Sequence, residues 1–254
     1  MWIALTREVS PAFDQCELTH LERQPIDVRL AQTQHHAYEN CLSQLGCAVY
    51  RLPAEPDLPD SVFVEDTAVV VEELAIITRP GAESRRLETA SMAKTLSPYR
   101  KLVRIQAPGT LDGGDVLRVG RTIYVGSSSR SNPAALEQMR SALAPFGYTV
   151  QGVPVNGCLH LKSAVTRVGK DTLLINRDWV EASAFGDMKC IEVDEAEPSG
   201  GNGLLVNDVL IYPANYPKTL SRLRTEGIAV KPVDVSEVIK AEGGVTCCSV
   251  IFSA

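Results

Sequence analysis

Ala68-Val-Val-Val-Glu-Glu-Leu-Ala-Ile-Ile-Thr-Arg-Pro-Gly-Ala82 holds two short strand-forming runs, Ala68–Val71 and Ala75–Thr78, followed by a Pro-Gly turn. A helix-period stretch near 84–98 and a further run, Leu102–Ile105, complete a unit of strand, strand, helix, strand. The same order recurs at Val116–Val153, Ala164–Val193 and Leu204–Val233. The turns after the second strand rhyme: Thr78-Arg-Pro-Gly-Ala82, Gly126-Ser-Ser-Ser-Arg130 and Tyr212-Pro-Ala-Asn-Tyr216. In the second unit Asn132-Pro133 marks a helix start, a capping residue before a proline suited to the first turn. Trp2–Leu5, a helix-period stretch at 26–45, Ala48–Leu52 and the C-terminal run Val245–Phe252 combine as a fifth unit. Five units of about 50 residues predict a ring of repeated supersecondary elements whose functional loops surround one mouth. No linker or low-complexity segment interrupts 1–254, which reads as a single domain.

Hydrophobic residues make up 44% and charged residues 22%, ordinary for a soluble globular protein, and no apolar stretch approaches membrane-spanning length. Met1-Trp-Ile-Ala-Leu-Thr-Arg7 lacks the features of a signal peptide. Seven cysteines without CxxC spacing argue against a disulfide framework or a zinc ribbon, so a reducing cytoplasm is the expected location. A net charge of −6 speaks against nucleic acid as partner and suits a cationic small ligand. The chain is expected to act on a small molecule, away from membranes, as a monomer or homodimer.

Glu242-Gly-Gly-Val-Thr-Cys247-Cys248-Ser-Val-Ile-Phe252 puts a thiol where a glycine-rich turn meets an expected strand. Successive side chains of a strand point oppositely, so one thiol of the pair would face a cleft. Asp60-Ser-Val-Phe-Val-Glu65-Asp66 sets three carboxylates in an apolar context, where charge is costly unless paired. It reads either as a turn with a helix cap or as a cation site. Histidine is scarce, so a planar guanidinium fits better than a metal. Gly109-Thr-Leu-Asp112-Gly-Gly-Asp115 is a tight turn that lacks the pattern of a phosphate loop. His160, between two leucines, is either a core histidine or a proton carrier with Asp112 as its orienting carboxylate. Arg85 and Arg130 each follow the second strand of a repeat, as solvated helix-start residues or as ligands for a substrate carboxylate.

Taken together, FVEDTAVV, LAIITRPGAESRR, TLDGGDVL, LHLKS and GGVTCCSVIF resemble the dimethylarginine dimethylaminohydrolases of the guanidine-modifying superfamily, in the same order over nearly the whole chain. The resemblance implies an α/β fold, a five-fold pseudo-symmetric α/β propeller of ββαβ-type repeats, in agreement with the repeat count. It also implies hydrolysis of Nω-methylated arginine to citrulline without a cofactor or metal. Cys247 would be the nucleophile, His160 the general acid/base and Asp112 its orienter, where some bacterial relatives have Glu. Glu65 and Asp66 would hold the guanidinium with Asp60 nearby, and Arg85 and Arg130 would clamp the substrate carboxylate. Leu18 matches a mobile lid, and Ala241 and Glu242 match positions beside the α-amino group. Two positions depart from the family pattern: Ala241 is often a larger aliphatic, and Gly200-Gly-Asn-Gly203 is usually Ala-Asn-Cys. The alternatives are an arginine deiminase or amidinotransferase-like enzyme of the same superfamily, and a non-catalytic thiol- or metal-responsive protein using Cys247-Cys248.

Overall fold

A computed structural model describes all 254 residues. β1 (Trp2–Arg7) leads through α1 (Val28–Gln44) to its parallel neighbour β2 (Cys47–Leu52). β3 (Ala68–Val70) and β4 (Leu74–Ile77) pair antiparallel, and α2 (Thr89–Leu96) crosses to β5 (Lys101–Arg104), parallel to β4. The order repeats in β6 (Val116–Val119), β7 (Thr122–Ser127), α3 (Pro133–Leu143) and β8 (Thr149–Pro154). One turn of helix, α4 (Leu161–Ala164), precedes β9 (Val165–Arg167), β10 (Thr172–Ile175) and β11 (Lys189–Glu192). β12 (Leu204–Val206), β13 (Val209–Pro213), α5 (Pro217–Thr225) and β14 (Val230–Val233) follow. α6 (Ser236–Lys240) and β15 (Val250–Ser253) end the chain, and β15 closes onto β1 antiparallel.

Five three-stranded sheets result: β15-β1-β2, β3-β4-β5, β6-β7-β8, β9-β10-β11 and β12-β13-β14. Each pairs its first and middle strands antiparallel and its middle and outer strands parallel, the expected five-fold ββαβ ring. The first strands line a central cavity of about 400 Å³. The α3 cap is as predicted, with the Asn132 side chain accepting from the Ala135 amide at 3.1 Å.

Two sequence expectations change. The third unit has no α-helix, only a 3₁₀ turn at Ala182–Phe185 closed by Gly186 at φ 65°. The Asn/Asp-containing stretch before it favours local side-chain bonds over helix propagation, as in Asn176 Oδ1 accepting from the Asp178 amide. The C-terminal strand starts at Val250 instead of Val245. Residues 245–248 form a turn, with the Cys247 amide bonded to the Gly244 carbonyl at 3.2 Å. Both cysteines therefore sit on a turn. Beneath it lies the largest hydrophobic cluster, which contains Phe13, Phe63, Val245 and Cys248. Fully burying such apolar side chains stabilises by about 1.5–3 kcal/mol each, which anchors the turn rigidly.

Candidate active site

Three loops converge on Cys247. The Glu65 amide donates to the Cys247 carbonyl at 3.1 Å, tying the 63–66 segment to the thiol turn. The 112–115 turn packs against both that segment and His160. A Cβ on Gly113 would stand 1.9 Å from the Glu65 carbonyl oxygen, and one on Gly114 would stand 2.5 Å from His160 Nδ1. Only glycine permits this approach. Asp115, wholly buried, accepts from Ser128, Ser131 and the Leu161 amide, and so fixes the chain just after His160.

Cys247, His160, Asp66, Asp60, Arg85, Arg130, Ala241 and Glu242 line one small pocket of about 20 Å³. Asp112 stands behind His160, fully buried, with Oδ2 3.0 Å from His160 Nε2 and Oδ1 accepting from the Gly81 amide at 2.9 Å. Cys247 keeps some exposure, whereas Cys248 is 2% exposed and turned into the core. Leu18 lies outside the pocket wall and packs on the core cluster.

Arg85 and Glu65 sit differently from the simplest expectation. Arg85 is buried and donates to both oxygens of Glu88 (3.0 and 2.8 Å), to Asp66 Oδ2 (2.6 Å) and to the Asp60 and Phe63 carbonyls. Four of its five N–H groups are thereby engaged. Arg130 is freer: its one side-chain hydrogen bond goes to Thr19 Oγ1 at 2.8 Å, with Asp112 4.0 Å away. Glu65 faces the central cavity, where it pairs with Lys162 and accepts from Thr246 Oγ1 at 2.8 Å. It does not line the pocket that holds the thiol. The cation that the three crowded carboxylates require is supplied by the protein, as Arg85 for Asp60 and Asp66 and as Lys162 for Glu65.

Residues 19–21 are latched to Glu242. Glu242, in left-handed backbone at φ 58°, accepts from the Thr19 amide at 2.9 Å and from the His20 and Leu21 amides at 2.5 Å. A non-glycine residue held there is strained, and three hydrogen bonds to one carboxylate offset that strain. Asp60 accepts from the Glu17 amide at 3.0 Å. Asp60 and Glu242 thus hold residues 17–21 while bordering the pocket.

Burial pushes the Asp60 and Glu65 carboxyls up. Burial also opposes ionisation of Asp66, but the charges of His160 and Arg85 outweigh it and hold that carboxyl down at about 2. Burial works against the His160 imidazolium, yet Asp66 and the Asp112 hydrogen bond raise its pKa to about 9. The Cys247 thiol is pushed up to about 12 by burial and by the Glu65 and Asp66 charges. The resting pocket at neutral pH therefore holds a neutral thiol beside an imidazolium. Asp66, Asp112 and His160 place potential ligand atoms within 4.8 Å of one another. All four of those carboxylate oxygens already face N–H donors or the His160 ring.

Sequence reasoning passed over Glu88, Lys162 and Asn202. Glu88 was detectable as the acid three residues after Arg85. Asn202, in the Gly200–Gly203 stretch, donates to the Lys162 carbonyl and Thr246 Oγ1 (both 3.0 Å) and accepts from the Thr246 amide at 3.1 Å. It cross-braces the histidine and cysteine loops.

Removing Arg85 should be costly to the fold. Arg85→Ala leaves Asp66 and Glu88 buried without a counter-charge and is expected to lower stability by about 3–5 kcal/mol in urea denaturation. Arg130→Ala, by contrast, should leave the unfolding free energy within about 1 kcal/mol of wild type, because that side chain bonds only the Thr19 hydroxyl.

The family model described as eukaryotic N,N dimethylarginine dimethylhydrolase matches residues 14–252. The N(G),N(G)-dimethylarginine dimethylaminohydrolase of Streptomyces coelicolor is 42% identical over 248 residues, 97% of this chain and 95% of that protein. Among solved structures, a cysteine-to-serine mutant of the Pseudomonas aeruginosa enzyme with citrulline superposes with a TM-score of 0.94 at 35% identity, over 99% of this chain and 100% of that one. A histidine-to-glycine variant of a dimethylarginine dimethylaminohydrolase, as an adduct with S-methyl-L-thiocitrulline, gives the same TM-score at 36% identity and the same coverage.

Proposed function

The chain belongs to the dimethylarginine dimethylaminohydrolase family, and on that premise we propose that it hydrolyses Nω-methylated L-arginine to L-citrulline and methylamine or dimethylamine. The observation that carries this reading is the joint lining of one pocket by a thiol, a carboxylate-oriented histidine and the ionised Asp66. No helix is long and apolar enough to cross a membrane, and the seven thiols are all free, which supports a reducing, cytoplasmic setting.

A guanidinium is a poor electrophile because its charge is delocalised. Asp66, ionised under all ordinary conditions, keeps it cationic, while Arg130 and the last N–H of Arg85 take the substrate carboxylate. The arriving cation lowers the pKa of the raised thiol, and its proton leaves for solvent. The thiolate then bonds to the guanidino carbon, and the His160 imidazolium protonates the departing nitrogen, so the C–N bond breaks and neutral amine leaves. Neutral His160 next takes a proton from water as its oxygen adds to the thiouronium carbon. Collapse expels the thiolate, the hydroxyl proton passes to it to restore the thiol, and citrulline leaves. A 20 Å³ pocket holds about one water and no amino acid, so residues 17–21 must move to admit substrate.

Colorimetric citrulline detection tests the reading. Methylated arginine is expected to be turned over in preference to arginine, and agmatine, without the carboxylate, to be a poor substrate. Arg130→Ala is expected to raise KM by at least about tenfold, the loss of one charge-assisted pairing. Efficient turnover of agmatine would refute the carboxylate clamp, and preference for unmethylated arginine would favour a deiminase.

A further inference from the structure

Cys247, His160 and Asp66 come from three separate loops, and nothing joins the thiol directly to the other two. Its sulfur accepts only the Gly244 amide of its own turn, at 3.4 Å. The spacing of the three groups is set behind them. Glu65 precedes Asp66, Lys162 follows His160 by two residues, and Thr246 precedes Cys247. Asn202, from a loop that supplies no reactive group, closes these three into one ring. Its N–H groups go to the Lys162 carbonyl and to Thr246 Oγ1, both at 3.0 Å. The Thr246 hydroxyl donates onward to Glu65 Oε2 at 2.8 Å, and Lys162 Nζ returns to Glu65 Oε1. The Asn202 amide and the Thr246 hydroxyl spend their protons within the ring, so neither can turn without breaking it.

The Asn202 loop is itself pinned. Thr166 Oγ1 donates to the Gly201 carbonyl at 2.7 Å and accepts from the Gly203 amide at 3.0 Å, on either side of Asn202. A Cβ on Gly201 would stand 2.6 Å from the Ser163 carbonyl oxygen, and one on Gly244 would stand 2.4 Å from Asn202 Oδ1. None of the four ring residues lines the pocket of about 20 Å³ that holds the thiol. Glu65, Lys162 and Thr246 face the central cavity, and Asn202 faces a second cavity of about 230 Å³.

Building on the proposed hydrolysis of methylated arginine, we propose that Asn202 and Thr246 are positioning residues, whose ring with Glu65 and Lys162 holds Cys247, His160 and Asp66 in register for the transition state. The thiolate must meet the carbon of a guanidinium that Asp66 holds, while His160 reaches the departing nitrogen. A displacement of about 1 Å among such groups costs on the order of 100-fold in rate. Substrate still binds through Asp66 and Arg130, so the loss appears in kcat while KM stays nearly constant.

The experiment measures citrulline release from Nω-methyl-L-arginine by wild type, Thr246→Val, Thr246→Ser, Asn202→Ala and the double variant Thr246→Val with Asn202→Ala. Urea denaturation confirms that each is folded. Thr246→Val keeps the shape and opens the ring, whereas Thr246→Ser keeps the hydroxyl. Thr246→Val and Asn202→Ala are each expected to lose at least about tenfold in kcat with KM within about threefold, and Thr246→Ser to stay within about threefold of wild type. The double variant should lose no more than about threefold beyond the worse single one, because either substitution already opens the ring. Losses that multiply, kcat within about threefold in a folded Thr246→Val, or a Thr246→Ser as slow as Thr246→Val overturns the proposal. Absence of citrulline from the wild type counts against the hydrolase reading alone. In that case the rate at which a cationic haloacetamidine alkylates Cys247, divided by that of a neutral haloacetamide, reads the register of Asp66 with the thiol. A ratio that falls at least about tenfold in Thr246→Val and is restored in Thr246→Ser supports the proposal, and a ratio that Thr246→Val leaves unchanged overturns it.

Discussion

Cys247→Ser is expected to form no measurable citrulline, a loss on the order of 10⁴-fold or more, because a buried hydroxyl does not ionise where even the thiol needs the substrate's charge. Cys248→Ser is expected to keep turnover within about fivefold of wild type. Its side chain is 2% exposed, packs in the largest core cluster and borders neither cavity. The cost of that substitution should appear as stability, about 1–3 kcal/mol for burying a hydroxyl in place of a thiol. Citrulline assays on both variants, with urea denaturation alongside, separate the two effects. An inactive Cys248→Ser beside an active Cys247→Ser would reverse the assignment.

His160→Ala is expected to lose at least about 100-fold in kcat, the usual size of general acid/base catalysis, and Asp112→Ala somewhat less, because Asp112 acts only through the imidazole. The same pair of groups fixes a pH dependence of stability. The His160 pKa rises on folding from 6.5 to about 9, so its stabilisation is complete below pH 6.5 and is lost as pH climbs through 9. Asp66 moves the other way, from 3.8 to about 2, so its contribution is present above pH 3.8 and disappears as pH falls through 2. Thermal melts should therefore show a midpoint that falls between pH 6.5 and 9.5 in wild type, and a shallower fall in His160→Ala. Equal slopes would mean that the imidazole is not held protonated.

Free-enzyme chemistry follows from the same charges. With the thiol pushed up to about 12, a neutral haloacetamide should alkylate Cys247 slowly near pH 7 and faster as pH rises. A cationic haloacetamidine, which brings its own charge to Asp66, should react much faster at the same pH. Equal rates would remove the case for a cation site beside the thiol.

The ring was readable from local pattern because the units repeat the same order of strands, and in three of them rhyming turns mark where the middle strand ends. Where a β-branched run was overruled, at Val245–Cys248, a glycine pair and the 244–247 backbone bond made a turn that propensity does not register. Exposure still separated the two thiols, although strand alternation was the wrong reason. The charged residues divided similarly. The family resemblance brought Cys247, His160 and Asp66 to one site, and all three line one pocket, each on the loop ahead of the first strand of its unit. The partner of Glu65 could not be placed, because Lys162 reaches it from another unit through a side-chain direction that no periodicity encodes. Asn202 braces two distant loops from a third unit, a contact that exists only once the ring closes.

The central claim is that Cys247 carries a covalent intermediate during hydrolysis of methylated arginine. Rapid acid quench of the wild-type enzyme during turnover of Nω-methylarginine, followed by intact-mass and peptide mapping, tests it most directly. The account predicts a species heavier by the substrate less methylamine, located on the peptide containing Cys247, absent from Cys247→Ser, and decaying as citrulline appears. Citrulline formation at full rate with no adduct at any quench time, or with the adduct on another cysteine, would contradict it.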